Sequence, residues 1–235
     1  MRQTPPSDPA RARWKPVGDV LPIFSGLLRA SWREIGIIWA LTTAGIMAVT
    51  AVMEALPLPA TDVMGLTASI FPVAFGVAMA AHRMLWPQSP TLAECVSVAA
   101  RAFPSVLAIV AIRQVLFTFG LSLLVIPSIA VAVFLLLAPI IVMAEAPPIT
   151  ETFRRSVHRV WPIGWAVLAL LFLTTLVGVL LLIPIAFMTI PIAPFGEDTL
   201  ETFFVSGATA AFPLVFTALG VALHIYLTQP SETRH

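Results

Sequence analysis

Residues 139–162 read PIIVMAEAPPITETFRRSVHRVWP, and within this stretch an apolar run ends at Glu145 and a short basic segment begins. From Ile149 onward the apolar residues recur mostly at spacings of three and four, which places them on one face of a helix. The arginines occupy the other face. A helix of this kind between two long apolar runs is typical of a segment that lies flat at a membrane interface, with its arginines turned toward anionic headgroups and water.

The chain is too apolar for an ordinary soluble domain. Of its 235 residues, 59% are hydrophobic and 11% are charged, whereas about 25% of the residues in a soluble domain are charged. The mean hydropathy is +0.96. Composition therefore predicts an all-α protein embedded in a bilayer.

Catalytic chemistry has little support in the sequence. The single cysteine, Cys95, excludes an intrachain disulfide and a cysteine metal site. The four histidines are scattered and lack the spacing of metal ligands. We expect no metal, no cofactor, no enzymatic activity and no nucleic-acid partner.

Long apolar runs predict six transmembrane helices. They cover approximately residues 35–56, 63–85, 104–125, 129–144, 161–183 and 202–227. Pro127 and Ser128 are predicted to form the outer turn between the third and fourth spans, and the fourth span is short at about sixteen residues. The predicted organisation is a disordered cytoplasmic tail over 1–16, a membrane domain over 17–228 and a cytoplasmic tail over 229–235.

Three amphipathic segments are predicted to lie at the interface, over 17–34, 91–103 and 149–160. Pro22 is acceptable there only in an opening turn. Thr91 and Glu94 form the pattern of a capping box.

Each of these segments leads into a hairpin of two spans, which divides the chain into 17–86, 89–144 and 149–227. Two interpretations stay open: a threefold repeat of a helix plus a hairpin, or basic flanks of the kind that are common wherever a span meets the cytoplasm.

The positive charges lie on one side of this six-span arrangement. Twelve of the thirteen Lys and Arg residues fall on the side that holds both termini, and the excess of basic residues marks that side as cytoplasmic. They are Arg2, Arg11, Arg13, Lys15, Arg29, Arg33, Arg83, Arg101, Arg154, Arg155, Arg159 and Arg234.

The remaining basic residue, Arg113, falls near the middle of the third span. Placing a charge there costs about 3 kcal/mol on insertion scales, so we expect the side chain to face protein. Two interpretations are open. Arg113 binds an anionic headgroup or substrate inside the bundle, or it satisfies backbone carbonyls that prolines free in neighbouring spans.

Arg101, Arg154, Arg155 and Arg159 are candidate ligands for anionic lipid headgroups, the alternative being simple topological anchoring. Glu145 is expected to pair with Arg101, Arg155 or another base and so to pin the interfacial helix, the alternative being a carboxylate that relays protons.

Glu94, which shares a helical face with Arg101, is assigned to a structural ion pair as well.

Three short stretches carry a resemblance to a known family. They are LVIPSI at 124–129, PIIVMAE at 139–145 and FRRS at 153–156, the last followed by Trp161 and Gly164. Together they resemble the membrane part of the bacterial glycerophosphoryl diester phosphodiesterase membrane-domain family and related inner-membrane proteins. The matching positions are Pro127, Pro139, Glu145, Arg155 and Ser156.

The chain also departs from that pattern, since Ser128 stands where the family usually has glycine and residues 146–148 replace a glycine-containing link. The resemblance implies a multi-pass protein of the bacterial inner membrane. It does not imply phosphodiesterase activity, which belongs to a separate soluble domain of some members.

These observations favour a non-catalytic polytopic protein that acts in membrane or lipid homeostasis, or as an accessory subunit of a membrane complex. Its expected partners are membrane lipids with anionic headgroups, and a membrane protein in the accessory case. The alternative is a small transporter or lipid translocator that uses Arg113 and proline-kinked helices.

Overall fold

The computed structural model describes residues 9–55, 68–86, 91–123, 125–189 and 197–229, and these residues form helices and short turns without any strand. The helices are α1 (Pro9–Ala55), α2 (Ile70–Leu85), α3 (Leu92–Leu123), α4 (Val125–Phe134), α5 (Ala138–Glu145), α6 (Ile149–Val160), α7 (Gly164–Thr189) and α8 (Glu197–Thr228). The three-residue 3-10 turn Trp161–Ile163 joins α6 to α7. The all-helical class predicted from composition is confirmed.

Five helical stretches in the described part of the chain are long and apolar enough to cross a membrane. They are Lys15–Met53, Leu92–Gly120, Val125–Glu145, Ile149–Leu180 and Thr202–Thr228. Helix α2 is also apolar but has only 16 residues. At 1.5 Å per residue it is shorter than a bilayer core of about 30 Å.

Three of the long stretches begin with a charged segment and continue into an apolar run, namely Lys15–Met53, Leu92–Gly120 and Ile149–Leu180. Helix α1 deviates from helical geometry at Ser31, where φ is −121° and ψ is 15°. Helix α3 continues through Pro104, so the expectation that a new helix opens there is wrong. The loss of one backbone hydrogen bond at a proline bends a helix without necessarily ending it.

The N-terminal boundary differs from the prediction. Helix α1 begins at Pro9, so residues 9–16 are helical rather than part of a disordered tail. Proline suits the first position of a helix because the N–H that it lacks would have no helical acceptor. Pro22 lies inside α1 and not in an opening turn. Residues 1–8 and 230–235, which belong to the two predicted tails, lie outside the described residues.

The turn between α3 and α4 also comes earlier than predicted. Helix α4 begins at Val125, so Pro127 occupies its first turn, where proline is tolerated. Ser128 is buried, and its hydroxyl donates to the carbonyl oxygen of Phe117 at 3.2 Å. A Cβ on Gly120 would lie only 2.8 Å from the nitrogen of Ser128. The two helices therefore meet backbone to backbone beyond the turn.

The outer turn predicted within 56–67 lies outside the described residues. The acidic outer turn predicted at Glu197, Asp198 and Glu201 is wrong, because these residues belong to the beginning of α8.

Helix α5 lies at the centre of the molecule. Every residue from Leu135 to Met143 is buried, and α5 packs against α2, α3, α6 and α8. A turn at residues 135–137 separates it from α4. Pro139 accounts for this break, because its ring excludes the carbonyl of the residue four positions earlier.

Helix α1 is held against both α2 and α8. The indole nitrogen of Trp39 donates to the carbonyl oxygen of Gly207 in α8 at 2.9 Å. On the other side, a Cβ on Gly76 of α2 would lie 2.3 Å from the hydroxyl oxygen of Thr42. These contacts place the two ends of the described chain, α1 and α8, side by side.

Candidate functional site at helix α6

Helix α6 presents two different faces. Thr152, Ser156 and Val160, spaced four residues apart, are fully buried. The side chain of Arg154 is 78% exposed, and His158 is exposed as well. A spacing of four keeps side chains on one side of a helix, so α6 docks on the bundle by one side and leaves its basic side open.

The docked side is fixed by specific polar contacts. The hydroxyl of Ser156 donates to the carbonyl oxygen of Phe134 at 2.6 Å, and the Phe134 ring stacks on Trp161 with centroids 5.5 Å apart. The hydroxyl of Thr152 donates to the carbonyl oxygen of Pro148 at 3.1 Å. Ala146 makes the turn into α6 possible by adopting a left-handed conformation with φ of 47°. These contacts set the position of the basic side chains.

Five charged side chains form a continuous line of ion pairs, which we call the ion row: Arg154, Glu151, Arg155, Glu145 and Arg159. Arg154 and Arg155 each donate to Glu151 at 2.7 Å. Arg155 and Arg159 donate to Glu145 at 2.7 and 2.6 Å. Three positive and two negative groups alternate, so the row carries a net charge of +1.

Glu145 joins the end of α5 to α6, as expected of a residue that pins the amphipathic helix. Its partners are Arg155 and Arg159. Arg101 is not among them, since its guanidinium donates to the hydroxyl of Ser97 at 3.1 Å on α3.

The arginines also hold Glu151 in its charged form. Hydrogen bonds from Arg154 and Arg155 lower the pKa of the Glu151 carboxyl from 4.5 to about 2. Glu151 belongs to the charged beginning of the stretch Ile149–Leu180, whose residues from 161 onward carry no charge. We therefore place Glu151 outside the apolar span, where its ion pairs persist at any physiological pH.

Of the two roles predicted for Glu94, the structure shows the helix cap. The backbone N–H of Thr91 donates to the Glu94 carboxylate at 2.9 Å, and the N–H of Glu94 donates back to the Thr91 hydroxyl at 3.4 Å. This is the capping box that the sequence predicts. Within the described residues Glu94 forms no ion pair, because its carboxylate is used to cap α3.

Arg113 lies on the inward side of α3. It follows the buried residues Val106 and Val110 by seven and three positions and precedes the buried Gly120 by seven, so all four share one face. The side chain is half-buried. Across the ranges that the structure describes, Arg113 forms no hydrogen bond or ion pair.

Two charged contacts were not anticipated from the sequence. Arg83 of α2 donates to Glu34 of α1 at 3.1 Å, and the Arg83 side chain is only 13% exposed. His224 of α8 is buried and lies close enough to Glu145 and Arg159 to interact electrostatically with both. These partners are 49 or more positions apart in the chain, so local spacing gives no signal for them.

Among the described side chains, no group of three or more His, Cys, Asp or Glu residues is placed to hold a metal ion. The Cys95 thiol is 1% exposed. The described helices thus define an all-helical protein with several segments suited to a membrane and a row of arginine–carboxylate pairs on α6. Comparisons with models of protein families, with curated proteins and with solved structures gave no match for this chain. Membership of the phosphodiesterase membrane-domain family stays a prediction from the residues.

Proposed function

We propose that the chain is a non-catalytic, six-span membrane protein whose helix α6 lies at the cytoplasmic surface and contacts anionic lipids. The five long apolar stretches support five of these crossings, and we assign the sixth to the shorter α2. An even number of crossings returns both ends to the same side. The one-sided distribution of Lys and Arg supports a cytoplasmic location for that side.

One observation supports lipid contact above all others, namely the composition of α6 and of the residues that follow it. Arg154 on α6 is 78% exposed, and Trp161 and Trp165, which follow the end of α6 in the chain, are 72% and 65% exposed. Tryptophan side chains prefer the level of the lipid headgroups, while arginines are attracted to the anionic leaflet. Both preferences are met when α6 lies parallel to the membrane surface.

The resemblance of residues 124–164 to an inner-membrane family places this surface, as a proposal, on the cytoplasmic face of a bacterial inner membrane. There the protein acts in lipid homeostasis or as an accessory subunit of a membrane complex. The charged ends of α1 and α3 supply the other two interfacial segments of a basic rim.

Cysteine labelling tests the orientation. In a Cys95→Ala background, Arg154→Cys should react with a membrane-impermeant maleimide only in inside-out vesicles. Asp198→Cys, at the opposite end of the last span near the beginning of α8, should react in intact cells. Labelling of Arg154→Cys in intact cells contradicts the proposed orientation.

Depth-dependent quenching tests the lipid contact. A bimane probe on Val157→Cys should be quenched most strongly by lipids that carry bromine near the headgroup. The same probe on Phe172→Cys, in the apolar part of α7, should be quenched most strongly by lipids brominated deep in the acyl chain. If the probe at position 157 is insensitive to both lipids, α6 does not contact the bilayer.

A second candidate function is lipid translocation or small-molecule transport through the bundle. The observation that favours it is Arg113, half-buried in the middle of α3 with no partner in the described part of the structure. Intramembrane charges often mark a transport path. Reconstituted protein should then accelerate the transbilayer exchange of a headgroup-labelled lipid, and Arg113→Gln should abolish that acceleration.

A further inference from the structure

We infer that α6 carries a discrete two-part site for a single phosphate-bearing lipid, with the phosphate in a basic groove and the upper acyl chain in an adjoining apolar groove. This inference rests on the proposed function, which places α6 at the membrane surface. It goes further in assigning a chemical class of ligand to defined side chains instead of to a diffuse basic surface.

Two open grooves border α6. The first has a volume of about 570 Å³ and is lined by Arg154, Arg155, His158 and Arg159. The second has a volume of about 510 Å³ and is lined by Phe153, Arg154, Val157, His158 and Trp161. Arg154 and His158 line both grooves, so the basic surface and the apolar surface meet at these two side chains.

The ion row leaves donors free for a phosphate. Arg154 uses Nε and Nη2 for Glu151, Arg155 uses Nε and Nη1 for its two carboxylates, and Arg159 uses Nη1 for Glu145. Among the residues whose contacts the structure describes, Nη1 of Arg154 and Nη2 of both Arg155 and Arg159 have no acceptor. Guanidinium groups match the geometry of phosphate oxygens particularly well.

The carboxylates of the row contribute in two ways. They hold the guanidinium groups in place before a ligand arrives, which reduces the entropy that would be lost on binding. They also lower the net charge of the row to +1, so that one phosphate group suffices to balance it. A fully unpaired cluster of three arginines would attract several headgroups at once.

The apolar groove distinguishes a lipid from a free phosphate. Val157 and Trp161 are 36% and 72% exposed, and they line the same groove as Phe153. Inorganic phosphate gains nothing from this surface, whereas an acyl chain buries it and is stabilised by about 25 cal/mol per Å² of apolar area removed from water. The arrangement therefore selects a phosphate that is esterified to an apolar group.

Calorimetric titration of the detergent-purified full chain tests the site with three probes: dihexanoyl phosphatidic acid, inorganic phosphate and dihexanoylglycerol. The lipid phosphate should bind at least tenfold more tightly than either of the other two. Equal affinity for inorganic phosphate overturns the apolar half of the site. Equal affinity for dihexanoylglycerol overturns the basic half.

Variants locate the binding. Val157→Ser should weaken the binding of dihexanoyl phosphatidic acid several-fold and leave the binding of inorganic phosphate unchanged. Arg154→Gln should weaken the binding of both probes. Arg154→Lys keeps the positive charge but lacks the planar guanidinium group, so it should still weaken the binding of dihexanoyl phosphatidic acid. Arg29→Gln removes an exposed arginine on α1 and should change nothing. A loss of affinity in Arg29→Gln equal to that in Arg154→Gln overturns the assignment to α6.

The outcomes separate this inference from the proposed function. If no probe binds although labelling places position 154 on the cytoplasmic side and melting shows a folded protein, the two-part site is wrong and the proposed orientation stands. If position 154 is labelled from outside the cell, the proposed function fails whatever the titration shows.

Discussion

The hydroxyl of Ser156 donates a 2.6 Å hydrogen bond to the carbonyl oxygen of Phe134, 22 positions earlier in the chain. Helix α4 ends at Phe134, and the N–H of Ala138, which a continuous helix would direct to that carbonyl, donates to Leu135 instead at 3.2 Å. The break before Pro139 thus creates an acceptor that Ser156 satisfies. Helix α6 is therefore anchored at the position where α4 ends.

Replacement of Ser156 by alanine should therefore loosen α6. The change leaves the partly buried carbonyl of Phe134 without this donor, which costs about 1–3 kcal/mol. We expect a lower melting temperature in detergent and faster amide hydrogen exchange over residues 149–163. Ser25→Ala is the matched control, because the Ser25 hydroxyl is exposed and donates to Pro22 within one helix. If both variants melt alike, the contact does not hold α6.

The close approach of α1 and α2 gives a second prediction. A Cβ at position 76 would lie 2.3 Å from the Thr42 hydroxyl oxygen, which is itself fixed by a 2.7 Å bond to the carbonyl oxygen of Ile38. Gly76→Ala should force the helices apart and destabilise the fold by about 1–3 kcal/mol.

Gly36→Ala is the control for that change. A Cβ at position 36 meets nothing within 4 Å, and alanine is the better helix former by about 0.5–1 kcal/mol. Thermal melting of both variants should show opposite shifts. A neutral Gly76→Ala would mean that α1 and α2 are not packed this closely.

The helical class follows directly from the sequence because apolar runs of about 20 residues have few alternatives to a helix. The capping box at Thr91 and Glu94 is equally local and was predicted correctly. The helix boundaries near Pro9, Pro104 and Val125 were not predicted correctly. Proline restricts the backbone locally, but whether it begins, bends or interrupts a helix depends on packing that the sequence does not reveal.

The charged contacts of α6 were predictable only in part. The pairing of Glu145 with a neighbouring arginine follows from proximity in the chain, whereas the choice of Arg159 over Arg101 depends on how α5 and α6 are arranged. The role of Ser156 had no local signal, since its acceptor exists only because α4 ends at Phe134. The ion pair of Glu34 with Arg83 likewise requires the packing of α1 against α2.

The depressed pKa of Glu151 gives a pH-dependent prediction. Because the pKa is lowered from 4.5 to about 2 by Arg154 and Arg155, the stabilisation is complete above pH 4.5 and is lost as pH falls toward 2. A carbon-13 NMR titration of the Glu151 carboxyl should show a midpoint well below 4.5. In a double variant with Arg154→Gln and Arg155→Gln the midpoint should return toward 4.5. An unshifted midpoint in the unmodified chain would show that the ion pairs do not form in solution.

Arg113 gives a prediction about membrane insertion, and the same variant then separates the two candidate functions. Replacement by leucine removes a charge from the middle of an apolar helix and should favour membrane insertion by about 3 kcal/mol. Gln114→Leu, at the neighbouring exposed position, is the control for added hydrophobicity and should have a smaller effect. Insertion can be measured by the glycosylation of reporter sites on either side of residues 104–123.

The same Arg113→Leu protein should then be tested for lipid exchange between leaflets and for binding of dihexanoyl phosphatidic acid. If Arg113 lines a path, a well-folded leucine variant loses exchange and retains phosphate binding at α6, since the two groups lie on different helices. If exchange is absent from the unmodified protein as well, the translocator hypothesis is wrong. Arg113, which has no partner among the described residues, would then be expected to pair with a carboxylate supplied by a partner helix.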